Sequence, residues 1–211
     1  MNIVVLGASG RTGQWVTQVA SERGHHVRAV ARERSVAKVV AADEVITADV
    51  LRPDEVSRVA DDQDAVISTL GLNRAGLNPW SRLLSPPDVV ARVVSALSAR
   101  CAGRGSPRVI WMSAGGAGES LQAASFAIRR LIRAGNVGVA YKDLDEAEPV
   151  AAAAGFIAAR PVTLLNGASS RPAKPLKSYG LLSTVRRSAV ARWMIEAAEA
   201  EGEPERPMLL G

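Results

Sequence analysis

Short, uniformly apolar runs alternate with helical segments along almost the whole of this chain, and that alternation leaves few folds open. NIVVLG (2–7), HHVRAVAR (25–32), EVITADV (44–50), DAVISTLG (64–71), PRVIWMSAG (107–115) and FIAARPVTLL (156–165) all have the length and character of strands. Between and after them, TGQWVTQVASERG (12–24), SVAKVVAA (35–42), PPDVVARVVSALSARC (86–101), residues 119–134 and 139–154, and VRRSAVARWMIEAAEAEG (185–202) read as helices. Another helix opens at Pro53, with proline in the first turn and Asp54 and Glu55 at the positive end of the dipole. PMLLG, at the end, adds a small edge strand. Runs such as IVVL and AVIST lack polar alternation and suit strands covered on both faces; helices between successive strands then make the sheet parallel and doubly wound. The expectation is an α/β, Rossmann-type single domain over residues 1–211, without internal repeats. Residues 73–85 and 166–180 lack regular periodicity and follow predicted strands, where ligands bind in open α/β sheets, so they are candidate substrate loops.

Composition excludes several classes. Hydrophobic residues make up 47% and charged residues 22%, a globular balance. The opening MNIVVLG has no basic-then-apolar leader, no long apolar run could span a bilayer, and Cys101 is the single cysteine, so the expectation is a cytoplasmic chain that uses neither membrane nor disulfide. No metal-ligand cluster, carboxylate pair or nucleophile elbow stands out. The formal charge of +5 comes largely from arginines scattered through the sequence, among them Arg11, Arg28, Arg32, Arg34, Arg129, Arg130, Arg133, Arg186 and Arg187, with only 4% aromatics. Nucleic-acid proteins concentrate such charge in a stripe interleaved with aromatic residues. An anionic small molecule accounts for this pattern better.

GASGRTG (7–13) follows the first strand and enters the first helix. Gly7 permits the tight turn, Gly10 lets backbone approach a pyrophosphate, and Gly13 allows close helix–strand packing. The helix N-terminus supplies free N–H groups for that phosphate, and Ser9, Arg11 and Thr12 complete the expected contacts. An NAD site usually has an acid at the end of the second strand. Here the strand ends AVARERS, so Arg32 and Arg34 face that corner, with Arg11 within reach, and guanidinium groups suit a 2′-phosphate. This points to NADP(H), against the alternative that Arg32 and Arg34 form a solvated surface cluster. Asp49 and Val50 would receive the adenine, and Thr69, Leu70 and Gly71 would run beside ribose and pyrophosphate; Asp49 equally reads as a strand-end cap and Gly71 as a simple turn.

With these residues in place the chain resembles the atypical short-chain dehydrogenase/reductase superfamily, in particular the NAD(P)H-binding group that includes flavin reductase/biliverdin reductase B and NmrA-like proteins. The matching pieces are GASGRTG, Arg32, ADV (48–50), STLG (68–71), MSAG (112–115), YKDLDEAE (141–148), ARPVTLLNG (159–167) and VRRSAVARWMIEA (185–197). The resemblance implies an active-site serine at Ser113 and a Tyr-x-Asp segment, with a following Glu, at Tyr141, Asp143 and Glu148. Lys142 is then the variable position rather than half of a catalytic Tyr/Lys pair, whose members sit four residues apart. The histidine that follows the paired proline in flavin/biliverdin reductase B is Val162 here, and His25 and His26 lie at the far end of the second strand.

Ser113 and Tyr141 are therefore the candidate catalytic residues in a site poor in proton donors. Such a site suits hydride transfer to a planar, conjugated acceptor such as a flavin, quinone or enone. Trp80 would stack on a flat ring, and Arg82, Lys174 or Lys177 would engage an acidic substituent. The alternatives are an NmrA-like regulator that binds NADP(H) without turnover and a non-redox cyclase or isomerase on the same fold. Leu121, Phe126, Ile128, Leu131 and Ile132 face a lid contact, a partner or the core, and the oligomeric state is open.

Overall fold

The computed structural model describes residues 1–76, 81–101, 106–132, 135–202 and 208–211. Strands β1 (Asn2–Leu6), β2 (His26–Ala31), β3 (Glu44–Thr47), β4 (Ala65–Ser68), β5 (Arg108–Met112) and β6 (Ile157–Pro161) are separated by helices α1 (Gly13–Glu22), α2 (Pro53–Ala60), α3 (Val89–Arg100), α4 (Phe126–Ile132) and α5 (Gly135–Ala153). The chain then forms β7 (Thr163–Leu165), β8 (Thr184–Arg186), α6 (Arg187–Glu199) and β9 (Met208–Leu210). Seven strands make one sheet in the order β3-β2-β1-β4-β5-β6-β9, every neighbouring pair parallel. This is the doubly wound Rossmann-type arrangement expected, with the order reversing beside β1.

The apolar runs are explained by what covers them. Ile3 and Val5 face the layer formed with α1 and α6, where Val16, Val19, Met194 and Ile195 are buried. Val4 and Leu6 face the opposite layer, with Val56 of α2, Val93 and Leu97 of α3 and Ala147 of α5. With both faces dry, neither side of β1 has a use for polar residues. Trp111, within β5, is 1% exposed and belongs to the second layer.

Four local expectations need correction. Residues 35–42 do not form an α-helix; a 3₁₀ turn spans Glu33–Lys38, and none of its residues is buried, so no apolar face drives a longer helix. Residues 119–134 do not form a continuous helix: a 3₁₀ turn over Gly118–Ala123 is separated from α4 by extended backbone at Ala124, which pairs with Tyr179. The Tyr179 carbonyl accepts the Ser125 N–H at 3.1 Å, so a distant loop takes the backbone bond that a continuous helix would have used. The run 156–165 splits after Pro161, and β7 leaves the main sheet to pair with β8. That pairing takes residues 184–186 as strand, and the last helix starts at Arg187. Of the apolar set in 119–134, Ile128 and Ile132 are buried, Leu121 packs against the core and Phe126 is 75% exposed. The Leu131 side chain and Arg133 lie outside the described residues.

Strands β3, β4 and β5 end three residues before the apolar runs do. The remainders, 48–50, 69–71 and 113–115, are loops at the carboxyl edge of the sheet, and they help to build the site.

Candidate functional site

A cleft of about 390 Å³ opens over the carboxyl ends of the central strands. The glycine loop forms one wall. Gly7 adopts φ +82°, a conformation costly for any residue with a Cβ. A Cβ on Gly13 would lie 2.2 Å from the Gly7 carbonyl oxygen, so this glycine sets how closely α1 approaches β1. The Thr69 hydroxyl, at the end of β4, reaches the Leu6 and Gly7 carbonyls at 3.2 Å each and ties β4 to the loop. Helix α1 has no acid in its first turn and no side-chain cap, so no side chain occupies the positive end of its dipole, although the Gln14 N–H already donates to the Gly10 carbonyl at 2.9 Å.

Gly7, Ser9, Gly10, Arg11, Thr12, Arg32, Asp49, Val50, Leu70 and Gly71 all line this cleft. Gly13 and Arg34 do not: Gly13 is consumed by packing, and Arg34 is exposed within the 3₁₀ turn. At the β2 corner, the Ser9 hydroxyl donates to Ser35 Oγ at 3.1 Å and Ser35 Oγ to the Arg32 carbonyl at 2.9 Å, placing two hydroxyls beside the Arg32 residue. Asp49 Oδ1 accepts the Leu51 N–H at 3.1 Å, so the residue does cap a turn while lining the cleft. Trp80 lies outside the described residues, and Arg82, Lys174 and Lys177 lie outside the lining.

Among the described residues some arginines are paired with carboxylates, while others, both inside the cleft and outside it, are not. Arg23, Arg28, Arg52, Arg92, Arg100, Arg160 and Arg192 each meet a carboxylate. Arg11, Arg32 and Arg187, the arginines in the cleft lining, have no such partner among the described residues. Sequence reasoning missed Arg187 as a site residue. Its signal was physical: a cation at the start of a helix opposes the helix dipole and needs a reason to be there. Three unpaired guanidinium groups along a glycine loop fit an extended polyanion, as a dinucleotide is.

The lining reaches Met112, the last residue of β5, and stops short of Ser113 and Tyr141. Ser113 is 5% exposed, and its hydroxyl donates to Glu148 Oε1 at 2.7 Å. Glu148 also receives Arg160 Nε at 3.0 Å and Nη2 at 2.6 Å, forming a buried, two-pronged ion pair behind the serine. Burial alone would lower the Arg160 pKa, but Glu148 and then Glu119 outweigh it and raise it. The Tyr141 hydroxyl donates to the Gly115 carbonyl at 2.7 Å, and burial pushes its pKa up. Asp143 caps a helix distant in sequence, accepting the Val90 and Ala91 N–H groups of α3 at 3.1 and 2.9 Å. The 141–148 segment thus holds α3, β6 and the end of β5 in place, while Lys142 is exposed. His25 pairs with Glu199 at 2.7 Å, away from the cleft.

Solved structures share this fold. A short-chain dehydrogenase/reductase from Veillonella parvula in complex with NADP has 17% identity and a TM-score of 0.73, with 100% of this chain and 94% of that one covered. An anaerobilin reductase from Escherichia coli O157:H7 has 21% identity and a TM-score of 0.71, covering 100% and 96%. The oxidoreductase ylbE from Lactococcus lactis has 16% identity and a TM-score of 0.76, covering 100% and 90%. Among curated proteins, a 67-residue stretch is 42% identical to the 4-hydroxy-tetrahydrodipicolinate reductase of Natronomonas pharaonis. That match covers 32% of this chain and 24% of the relative, so the chain spans about a quarter of that protein's length. The NAD(P)H-binding family matches over residues 7–201. A match of that extent, on a chain whose glycine loop opens onto an anion-ready cleft, makes this protein a member of the NAD(P)H-binding family.

Proposed function

We propose that the chain is an NADPH-dependent reductase of a planar, conjugated small molecule of the flavin, quinone or enone type. The observation that carries this reading is where the hydroxyl protons lie beside the end of β5. Ser113 gives its proton to Glu148, and Tyr141 gives its proton to the Gly115 carbonyl. Burial makes the Tyr141 phenol hold its proton more tightly still. Reduction of a simple ketone calls for a positioned proton donor, and these groups are already engaged within the protein. An acceptor that delocalises the incoming electron pair needs no such donor and takes its proton from water. Bound NADPH supplies the hydride. The chain's own part is proximity and orientation: the glycine loop and α1 head take the phosphates, and Leu70 and Met112 give the cleft apolar lining.

Arg32 at the β2 corner supports NADPH over NADH, since it puts a guanidinium where a 2′-phosphate would lie, while Asp49, the carboxylate in the cleft lining, accepts the Leu51 N–H. The NADP bound by the Veillonella parvula protein and the reductase activity named for the Escherichia coli protein support the same reading. The test is calorimetric titration with NADPH and NADH, followed by NADPH oxidation with FMN and a simple quinone. Tight NADPH binding with oxidation is expected. Binding without oxidation across flavin, quinone and enone acceptors would favour a dinucleotide-binding regulator, and no binding of either nucleotide would refute the proposal.

A further inference from the structure

Arg187 is an unusual residue for its place. It is the first residue of the 13-residue helix α6, where the backbone presents its positive end, and Arg186 precedes it; the first turn has no acid and no side-chain cap. Its guanidinium reaches back 175 residues to the Thr12 hydroxyl, Nη1 to Oγ1 at 3.0 Å, at the head of α1. Its Nε donates to Asn166 Oδ1 at 3.2 Å. Both acceptors are neutral. A guanidinium has five N–H donors, so three remain after these bonds, on a side chain that lines the cleft.

No carboxylate pairs with Arg187 or Arg11 among the described residues. Burial lowers the Arg187 pKa and the like charge of Arg11 lowers it further, so the pair stands with its repulsion uncompensated. A half-buried cation beside another cation is an arrangement that an anion relieves. Thr12, which accepts from Arg187, is the N-cap of α1, so the positive end of that helix adds to the same charge.

Resting on the dinucleotide reading above, we propose that Arg187, with Arg11 beside it, holds the pyrophosphate of the bound dinucleotide at the head of α1. The adenosine 2′-phosphate corner is separate, at Arg32, Ser9 and Ser35. Because the same guanidinium holds Asn166, the pyrophosphate contact also ties the glycine loop to the start of the 166–180 segment.

The experiment is calorimetric titration of the full chain and its Arg187→Met and Arg187→Lys variants with NADPH, NADH and 2′-AMP, with thermal unfolding to establish that each variant is folded. Loss of a charge-assisted contact predicts that Arg187→Met weakens NADPH and NADH alike by about 10- to 100-fold, while 2′-AMP changes by less than about twofold. Arg187→Lys, which keeps the charge without the fork, recovers part of the loss. NADPH affinity unchanged in folded Arg187→Met, or a loss shared equally by 2′-AMP, overturns the pyrophosphate assignment and leaves the NADPH reading intact. Failure of the unaltered chain to bind any of the three ligands overturns both.

Discussion

Replacing Glu148 with Gln tests how the interior behind β5 is held. The Arg160 side chain is 6% exposed and the Glu148 side chain 9%, so neither charge is well solvated. Arg160 has one other carboxylate, Glu119, at 3.4 Å, and that side chain is 74% exposed and screened by water. Glutamine keeps the shape and one carbonyl oxygen, so no cavity opens. It removes the charge, however, and turns an N–H₂ toward one of the guanidinium or serine donors. Removing one partner of a buried pair costs about 3–5 kcal/mol, because the remaining charge stays buried without compensation. For a chain of 211 residues, each kcal/mol lowers Tm by about 2–4 °C, giving a drop of about 6–20 °C. Ser113→Ala is the internal control: it deletes one hydrogen bond to Glu148 and leaves the ion pair intact, for about 1–2 kcal/mol. Urea unfolding monitored by circular dichroism measures both, and the double variant Glu148→Gln/Arg160→Met should recover much of the loss by removing the stranded charge. If Glu148→Gln costs no more than Ser113→Ala, or the double variant is worse than the single, the buried-pair argument is refuted.

Four other expectations follow from the cleft and its surroundings. Arg32→Ala should weaken NADPH by about 10- to 100-fold and NADH by less than about twofold, measured by calorimetry; equal effects would remove the 2′-phosphate assignment. Gly13→Ala places a Cβ 2.2 Å from the Gly7 carbonyl, backbone that cannot yield without moving the loop, so binding of both nucleotides should fall together. Gly71→Ala, with open space around the added carbon, should leave the fold's stability unchanged by thermal melting. Tyr141 and Tyr179 are the chain's two tyrosines, and burial raises both phenols, Tyr179 to about 12. A folded pKa above the unfolded value favours the neutral phenol, so this contribution to stability is complete below pH 10 and is lost as pH rises through the folded values. Phenolate absorbance should accordingly be absent from the folded chain at pH 10, and a half-ionised signal there would contradict the burial of both rings.

The parts legible in the sequence were those whose physics is local. GASGRTG carries its own turn, its close helix–strand contact and its helix start within seven residues, and ten of the twelve expected cofactor residues do line the cleft. Runs apolar on both faces announced a sheet covered on both sides, because period-two alternation vanishes when neither face meets water. The two that do not line it have local reasons: Gly13 is taken up by the Gly7 backbone, and Arg34 belongs to a turn that buries nothing.

What tertiary structure alone decided is which distant groups meet. Ser113 stands after β5 as the sequence indicated, yet the proton acceptor for its hydroxyl, Glu148, lies 35 residues away on α5. Thr163–Leu165 is as apolar as the strand before it, and it leaves the main sheet because residues 184–186 offer it another edge. Arg187 reaches the glycine loop across 175 residues of sequence, guided by the packing of α6 beside α1. By itself the sequence determined the periodicities, the glycine turn and the sheet class, since these depend on neighbours along the chain. The destinations of buried protons and unpaired charges were decided by the fold, because an electrostatic partner is chosen by distance in space and by the loss of water around it.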